Sequence, residues 1–232
     1  MHHVVLAPFQ AFSPQHYAAL AATVLLILVM SLAARLKLTT FARTLEVTLA
    51  VLLLIQWPLH FWYYSVTGTL NPDRMYPCHL CDLAAVLSGL ALLTHRRGFC
   101  ELVYFWGLAG TLQGLITPAL ETGYPSPRYF LFFLAHGGVV ATALYGVIGL
   151  KIIPEAAAKW RAWFLINVYA VVIGLFNWAV GTNYGFLCRK PDTASLYDVL
   201  GPWPWYVVAS SFVALIAFLI FDLPFMFMRR KS

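Results

Sequence analysis

The sequence predicts an all-α polytopic membrane protein, a single domain over residues 1–232 that crosses the bilayer as seven helices. Three observations predict it. Of the 232 residues 61% are hydrophobic and only 10% charged, whereas a soluble domain is roughly a quarter charged. Runs long enough for a hydrocarbon core, which takes roughly 20 apolar residues, recur along the chain and leave little for a soluble domain. The Lys and Arg residues lie between those runs and not in one patch, so the net charge of +6 writes topology and argues against a nucleic-acid partner.

The first span, 17–34, follows a stretch with His2, His3 and His16 but no Lys or Arg, and Arg35 and Lys37 come after it. A secretory signal shows the reverse order of charge, so this reads as a retained helix. The second span, 44–64, ends in Pro58, His60 and the cluster Phe61-Trp62-Tyr63-Tyr64, aromatic residues suited to the headgroup level. The third, 78–94, is entered through Pro77, which at a helix start gives up no available hydrogen bond.

The fourth span, 99–120, sets Gly107, Gly110, Gly114 and Thr117 on one stripe beside Gln113. Small residues in a stripe let membrane helices approach closely. The fifth, 129–150, bears His136 before Gly137-Gly138. The sixth, 162–181, aligns Asn167, Ala170, Gly174, Asn177 and Gly181, and a loop over 182–204 leads to the seventh, 205–227. Four cysteines do not make a disulfide framework in a chain of this size.

Charge sets the orientation. Of the 15 basic residues, Arg35, Lys37, Arg43, Arg96, Arg97, Lys151, Lys159, Arg161, Arg229, Arg230 and Lys231 fall in alternate connections and the tail. Only Arg74, Arg128, Arg189 and Lys190 fall in the others. The positive-inside rule then puts the N-terminus outside and the C-terminus in the cytoplasm, in a plasma or inner membrane.

With that orientation Cys78, His79, Cys81 and Asp82 open the third span at the outer surface, near His60, Gln113, Thr117 and Asn177. His136 lies about 10–12 Å below the outer rim, and Asp82 and Asn177 about 6 Å, at 1.5 Å per helical residue. Helical spacing aims Cys78, Cys81 and Asp82 the same way. Polar groups thus crowd the outer half while the inner half reads as nearly all apolar, and intramembrane polar residues usually face a cavity. Plainer roles also fit: Asn167 and Asn177 as interhelical hydrogen-bond partners, and Cys100 as an inert small hydrophobe.

Three chemistries suit the cluster. A thiol at a helix N-terminus, Cys78 or Cys81, is activated by the unpaired N–H groups there. His136 would then be the base, with Asp82, His60 or Asn177 orienting it, for acyl transfer or hydrolysis on a lipid. Cys78-x-x-Cys81 also has the spacing of a dithiol oxidant, with Cys188 able to exchange. A metal site ranks last, because C-x-x-C lacks its second half here, and neither metal nor cofactor is expected. A cavity that binds a lipid or small ligand without catalysis, for transport or sensing, is a third class of function.

The strings "PCHLCDLA" at 77–84, "YFWGLAGTLQGLITP" at 104–118, "FFLAHG" at 132–137, "GTNYGFLCRKP" at 181–191 and "LGPWPWY" at 200–206 carry a resemblance. The chain resembles the YwaF-like family of bacterial integral membrane proteins, relatives of an animal transmembrane acyltransferase that builds ether phospholipids. The resemblance implies a seven-helix fold and, from the animal relatives, an acyl-enzyme cysteine matching Cys78 and a histidine matching His136. The usual bacterial cysteine matches Cys81, so the nucleophile stays open between the two. Asn183, Tyr184, Arg189 and Lys190 in the outer loop suit an anionic headgroup, since arginine grips phosphate in a bidentate way. A membrane phospholipid is the expected substrate or ligand, bound with His60, His79, Gln113 and Asn177 as further lining groups.

Overall fold

The computed structural model describes residues 8–191 and 195–229. His2, His3, Arg230 and Lys231, which enter the topology argument, lie outside the described residues. Apolar runs bounded by Pro, Gly or charged residues form α1 (Pro14–Arg35), α2 (Thr39–Val66), α3 (Leu80–Thr94), α4 (Arg97–Ile116), α5 (Pro127–Ile148), α6 (Ala158–Val180) and α7 (Trp205–Arg229). All but α3 are long and apolar enough to cross a membrane. α3 has 15 residues, about 22 Å of helix against a hydrocarbon core of about 30 Å. The expected seven full spans therefore become six such helices and one shorter apolar one.

The helices run alternately up and down. At one end Arg43 donates to the carbonyls of Leu92 and Leu93, Arg97 to that of Ile153, and Arg229 to that of Pro154. At the other end Phe9 N–H donates to the Glu121 carbonyl, a ring nitrogen of His16 meets the Leu115 carbonyl, and Tyr184 donates to the Pro72 carbonyl. These are called below the basic end and the cysteine end.

α5 is the central post, with Val139, Val140, Ala141 and Ala143 buried against α1 to α4. Close approach depends on the small residues. A Cβ on Gly89 would meet Leu54 at 2.7 Å and the Ala50 carbonyl at 3.3 Å, and one on Gly107 would meet Val139 at 3.1 Å. Of the stripe on α4, Gly107 and Gly114 face α5, whereas Gly110 faces Leu80 of α3 and Thr117 is exposed. The stripe on α6 does not all face protein: Gly174 has nothing within 4 Å. α6 and α7 pack on each other and on α4, leaving most of α6 turned outward. α4 widens into a π-helical turn at Gly107–Thr111, a distortion that often marks functional sites.

The expectation of a nearly apolar inner half is wrong at the basic end. Glu46, Glu101 and Asp222 are all buried there. Glu46 accepts from Arg43 at 2.9 Å, from the Tyr145 hydroxyl, and meets the His95 ring at 3.0 Å. Glu101 takes Arg161 at 2.6 Å and the Glu155 N–H at 2.9 Å. Asp222 takes Lys159 at 2.7 Å and Arg229 at 2.8 Å. A buried carboxylate survives only when paired and hydrogen-bonded, and each of these joins segments distant in sequence. Counting bases along the sequence hid them, because each acid lies inside an apolar run.

Removing one partner of such a pair strands the other. Asp222→Ala should cost about 3–5 kcal/mol by removing the carboxylate that Lys159 pairs with at 2.7 Å. Thermal unfolding in detergent should show the loss, and adding Lys159→Met should recover part of it.

Candidate functional site

A cavity of about 620 Å³ separates α6 and α7 from the inner helices. Its walls are the start of α3 (His79, Leu80, Cys81), the π-helical turn of α4 (Gly110, Thr111), His136 of α5, and long stretches of α6 and α7. Gly185, Phe186, Leu187 and Tyr197 from the α6–α7 connection close it at the cysteine end. The lining is mostly apolar with a few polar groups, as a ligand pocket requires.

The approach to α3 differs from the expected helix through Pro77. His79 is extended (φ −70°, ψ 147°) and caps a helix that starts at Leu80. The local partners explain this. Cys78 N–H donates back to the Tyr76 carbonyl at 2.9 Å, and the Cys78 carbonyl accepts from the Tyr169 hydroxyl at 2.8 Å. Neither group is left for a helical ladder. Cys78 therefore does not share a helix face with Cys81 and Asp82, and only Cys81 reaches the cavity wall.

Cys78 also lacks the activation expected of a helix start. Burial, and then the Asp82 carboxylate, push its thiol up from the ordinary range. All four cysteines are free, with Cys188 exposed.

His136 is fixed by its own helix. Its Nδ1 lies 2.9 Å from the Phe132 carbonyl, which can only accept, so Nδ1 carries the proton and Nε2 the lone pair. The ring stacks on Phe132 at 4.0 Å between centroids. On its other side Gly114 makes room, since a Cβ there would lie 3.1 Å from Nε2. Asp82 does not orient this imidazole. It accepts from Gln56 at 3.4 Å, and Gln56 in turn meets His60 Nδ1 at 2.9 Å. Asp82 and His60 thus form a second polar chain between α2 and α3.

The remaining expected residues serve the loops. Asn177 accepts from the Tyr184 N–H and the Thr182 hydroxyl and donates to the Tyr184 carbonyl, each at 2.9 Å. Its polar atoms are taken up closing the turn after α6, not orienting a catalyst. Asn183 accepts from the N–H groups of Cys188 and Arg189 and donates to the Arg189 carbonyl. Tyr184, fully buried, donates to the Pro72 carbonyl at 2.6 Å and accepts from Tyr76 N–H at 2.9 Å. Arg189 pairs with Asp73 at 2.9 Å, while Lys190 sits 5.7 Å from the Tyr206 ring. Gln113 bonds Thr117 on an exposed face of α4. His79 lines the cavity, yet its two ring nitrogens meet Asp73 O at 3.2 Å and Gly185 N–H at 3.4 Å.

Two kinds of residue escaped the sequence. Asp73 joins the α2–α3 and α6–α7 connections by accepting from Asn183 N–H at 2.6 Å and from Arg189. Tyr169, Tyr197 and Tyr206 give the cavity hydroxyl-bearing walls. The available signal was a phenol inside an apolar run, where its hydroxyl must find a partner. Among the described residues no three His, Cys, Asp or Glu side chains stand together as metal ligands would.

The model of the TMEM164 family matches residues 11–222. An uncharacterised protein of Treponema pallidum (strain Nichols) is 25% identical over 162 residues, 68% of this chain and 67% of that protein. No solved structure matches.

Tyr184→Phe tests the loop clamp. Two partly buried backbone partners lose their hydroxyl, at a cost of about 1 kcal/mol. The unfolding temperature should fall, and a water-soluble maleimide should modify Cys78 and Cys81 faster than in the parent.

Proposed function

This chain belongs to the TMEM164 family, and from that premise we propose that it is a membrane-embedded, cysteine-dependent lipid acyltransferase or hydrolase. The observation that carries the reading is that Cys81 and His136, from different helices, both line one largely apolar cavity. An acyl chain suits such a cavity, and thiol and imidazole suit an ester at its head. The YwaF-like assignment and the link to an ether-phospholipid acyltransferase are part of this proposal. So are a seventh crossing by α3, an outside N-terminus, a plasma or inner membrane, and a cavity served from the outer leaflet.

Cys81 Sγ attacks the acyl carbonyl while His136 Nε2 takes the thiol proton. That proton passes to the departing alcohol oxygen of the lysolipid, leaving a thioester on Cys81. A second hydroxyl, of an acceptor lipid or of water, then attacks the thioester. His136 takes the hydroxyl proton and returns it to the sulfur, so the enzyme ends unchanged. The first N–H groups of α3, at Leu80 and Cys81, are not used by the helix itself and can stabilise the oxyanion. Cys78 supports the approach to the helix through its carbonyl, and its thiol takes no part.

The test is lipid mass spectrometry on protein in nanodiscs of defined phospholipid with an isotopically labelled lysophospholipid. Acyl exchange or release should fall on the order of 100-fold or more in Cys81→Ala and His136→Ala, and persist in Cys78→Ala. Undiminished turnover in Cys81→Ala contradicts the reading. Loss in both cysteine variants, together with a trapped Cys78–Cys81 disulfide, favours the dithiol oxidoreductase instead.

A further inference from the structure

Arg128, in the first turn of α5, is a cation that the fold leaves without a counter-charge. Its Nε is buried and meets no acceptor, and no carboxylate pairs with it among the described residues. Its guanidinium lies 5.2 Å from the centroid of the Tyr64 ring. Arg74, from the connection between α2 and α3, lies 4.6 Å from the same centroid. Arg74 is held only loosely, by the Thr69 carbonyl at 3.3 Å and by Glu121 at 3.7 Å, a side chain 75% exposed.

Two like charges thus stand no more than about 10 Å apart around one tyrosine, about a Debye length in dilute salt. A ring face attracts each of them but does nothing to relieve their mutual repulsion. His60 stacks on the other side of the problem: its ring is 6.1 Å from that of Tyr64. Arg128 lies about two helical turns before His136 on α5, and His136 lines the cavity.

We infer that Arg128 and Arg74, set about Tyr64 beside the His136 end of the cavity, bind the phosphate of a phosphate-bearing ligand. Two forked donors reaching from separate elements suit a tetrahedral group, whose oxygens diverge. A planar carboxylate presents both oxygens in one direction and satisfies one fork at a time. The anion site stands on the cation pair alone; that its phosphate belongs to a membrane phospholipid rests on the lipid reading above. This assigns headgroup recognition to the α2–α3 connection and α5, and not to Asn183 and Tyr184, whose polar atoms are engaged by the chain itself.

The experiment is run on Cys81→Ala protein in detergent, so that its outcome is independent of turnover. Tryptophan fluorescence is titrated with dioctanoyl phosphatidylglycerol, with dioctanoylglycerol (the same chains without phosphate) and with inorganic phosphate. Arg128→Gln and Arg74→Gln should each weaken the phospholipid about 10-fold, the loss typical of a charge-assisted hydrogen-bonded contact. Arg128→Lys should recover part of that loss, and dioctanoylglycerol should bind all variants equally, which certifies the fold. If inorganic phosphate shows the arginine dependence and the phospholipid does not, the ligand is free phosphate at the same site. Should Arg128→Gln fail to fold, Arg74→Gln on its connecting segment carries the same test. Unchanged affinities for both phospholipid and inorganic phosphate in the arginine variants overturn the inference.

Discussion

The carboxylate and carbonyl of Asp73 hold the cysteine end together. The carboxylate receives Asn183 N–H and Arg189 from the α6–α7 connection, and the carbonyl meets the ring of His79. Around it the buried Tyr184 hydroxyl ties Pro72 to Tyr76. With these bonds the chain bends over 75–77, is extended at His79, and starts α3 at Leu80. That single choice of start turns Cys81 into the cavity and leaves Cys78 outside it. A helix beginning at Pro77 would have put both sulfurs on one face. Two irregular connections, far apart in sequence, thus decide which thiol has chemistry available.

Rigidity and openness are divided between the two ends of the bundle. At the basic end three buried carboxylates clamp five of the helices and two connections by ion pairs and hydrogen bonds. In a low-dielectric interior such pairs hold only with complete hydrogen bonding, and here each acid has at least two donors. At the other end α6 leans away from α5, and the room between them is the cavity. The π-helical turn of α4 lies on that wall, where its extra residue moves Gly110 and Thr111 relative to a regular helix. The proposed lipid chemistry would use this division: a scaffold that does not yield, and a side open enough for an acyl chain.

Much of the fold was legible from apolar run length alone. Each helix begins and ends within a few residues of its expected run, because membrane helices obey a hydrophobic rule that needs no tertiary knowledge. The gathering of Cys81 and His136 was legible as well, since depth along a helix follows from residue count. The rest depended on partners. Nothing local to Pro77 reveals that Tyr169 on α6 will claim the Cys78 carbonyl. Asn183 and Tyr184 read as headgroup ligands because polar loop residues look free until the loop closes on itself. Glu46, Glu101 and Asp222 drew no reading from the sequence, because Tyr145 and His95, Arg161, and Lys159 come to them from other elements. Arg128 read only as a topology marker, although among the described residues no carboxylate pairs with it, unlike Arg74 and Arg189 at the same end.

The central claim is that Cys81, and not Cys78, faces an apolar chamber shared with His136. Per-residue mass spectrometry after brief alkylation with N-dodecylmaleimide, against a charged maleimide of equal reactivity, measures it directly. The account predicts that the dodecyl reagent modifies Cys81 first and that His136→Ala slows this modification. The charged reagent should modify the exposed Cys188 first. Preferential dodecyl modification of Cys78, or a Cys81 rate indifferent to His136, would contradict it.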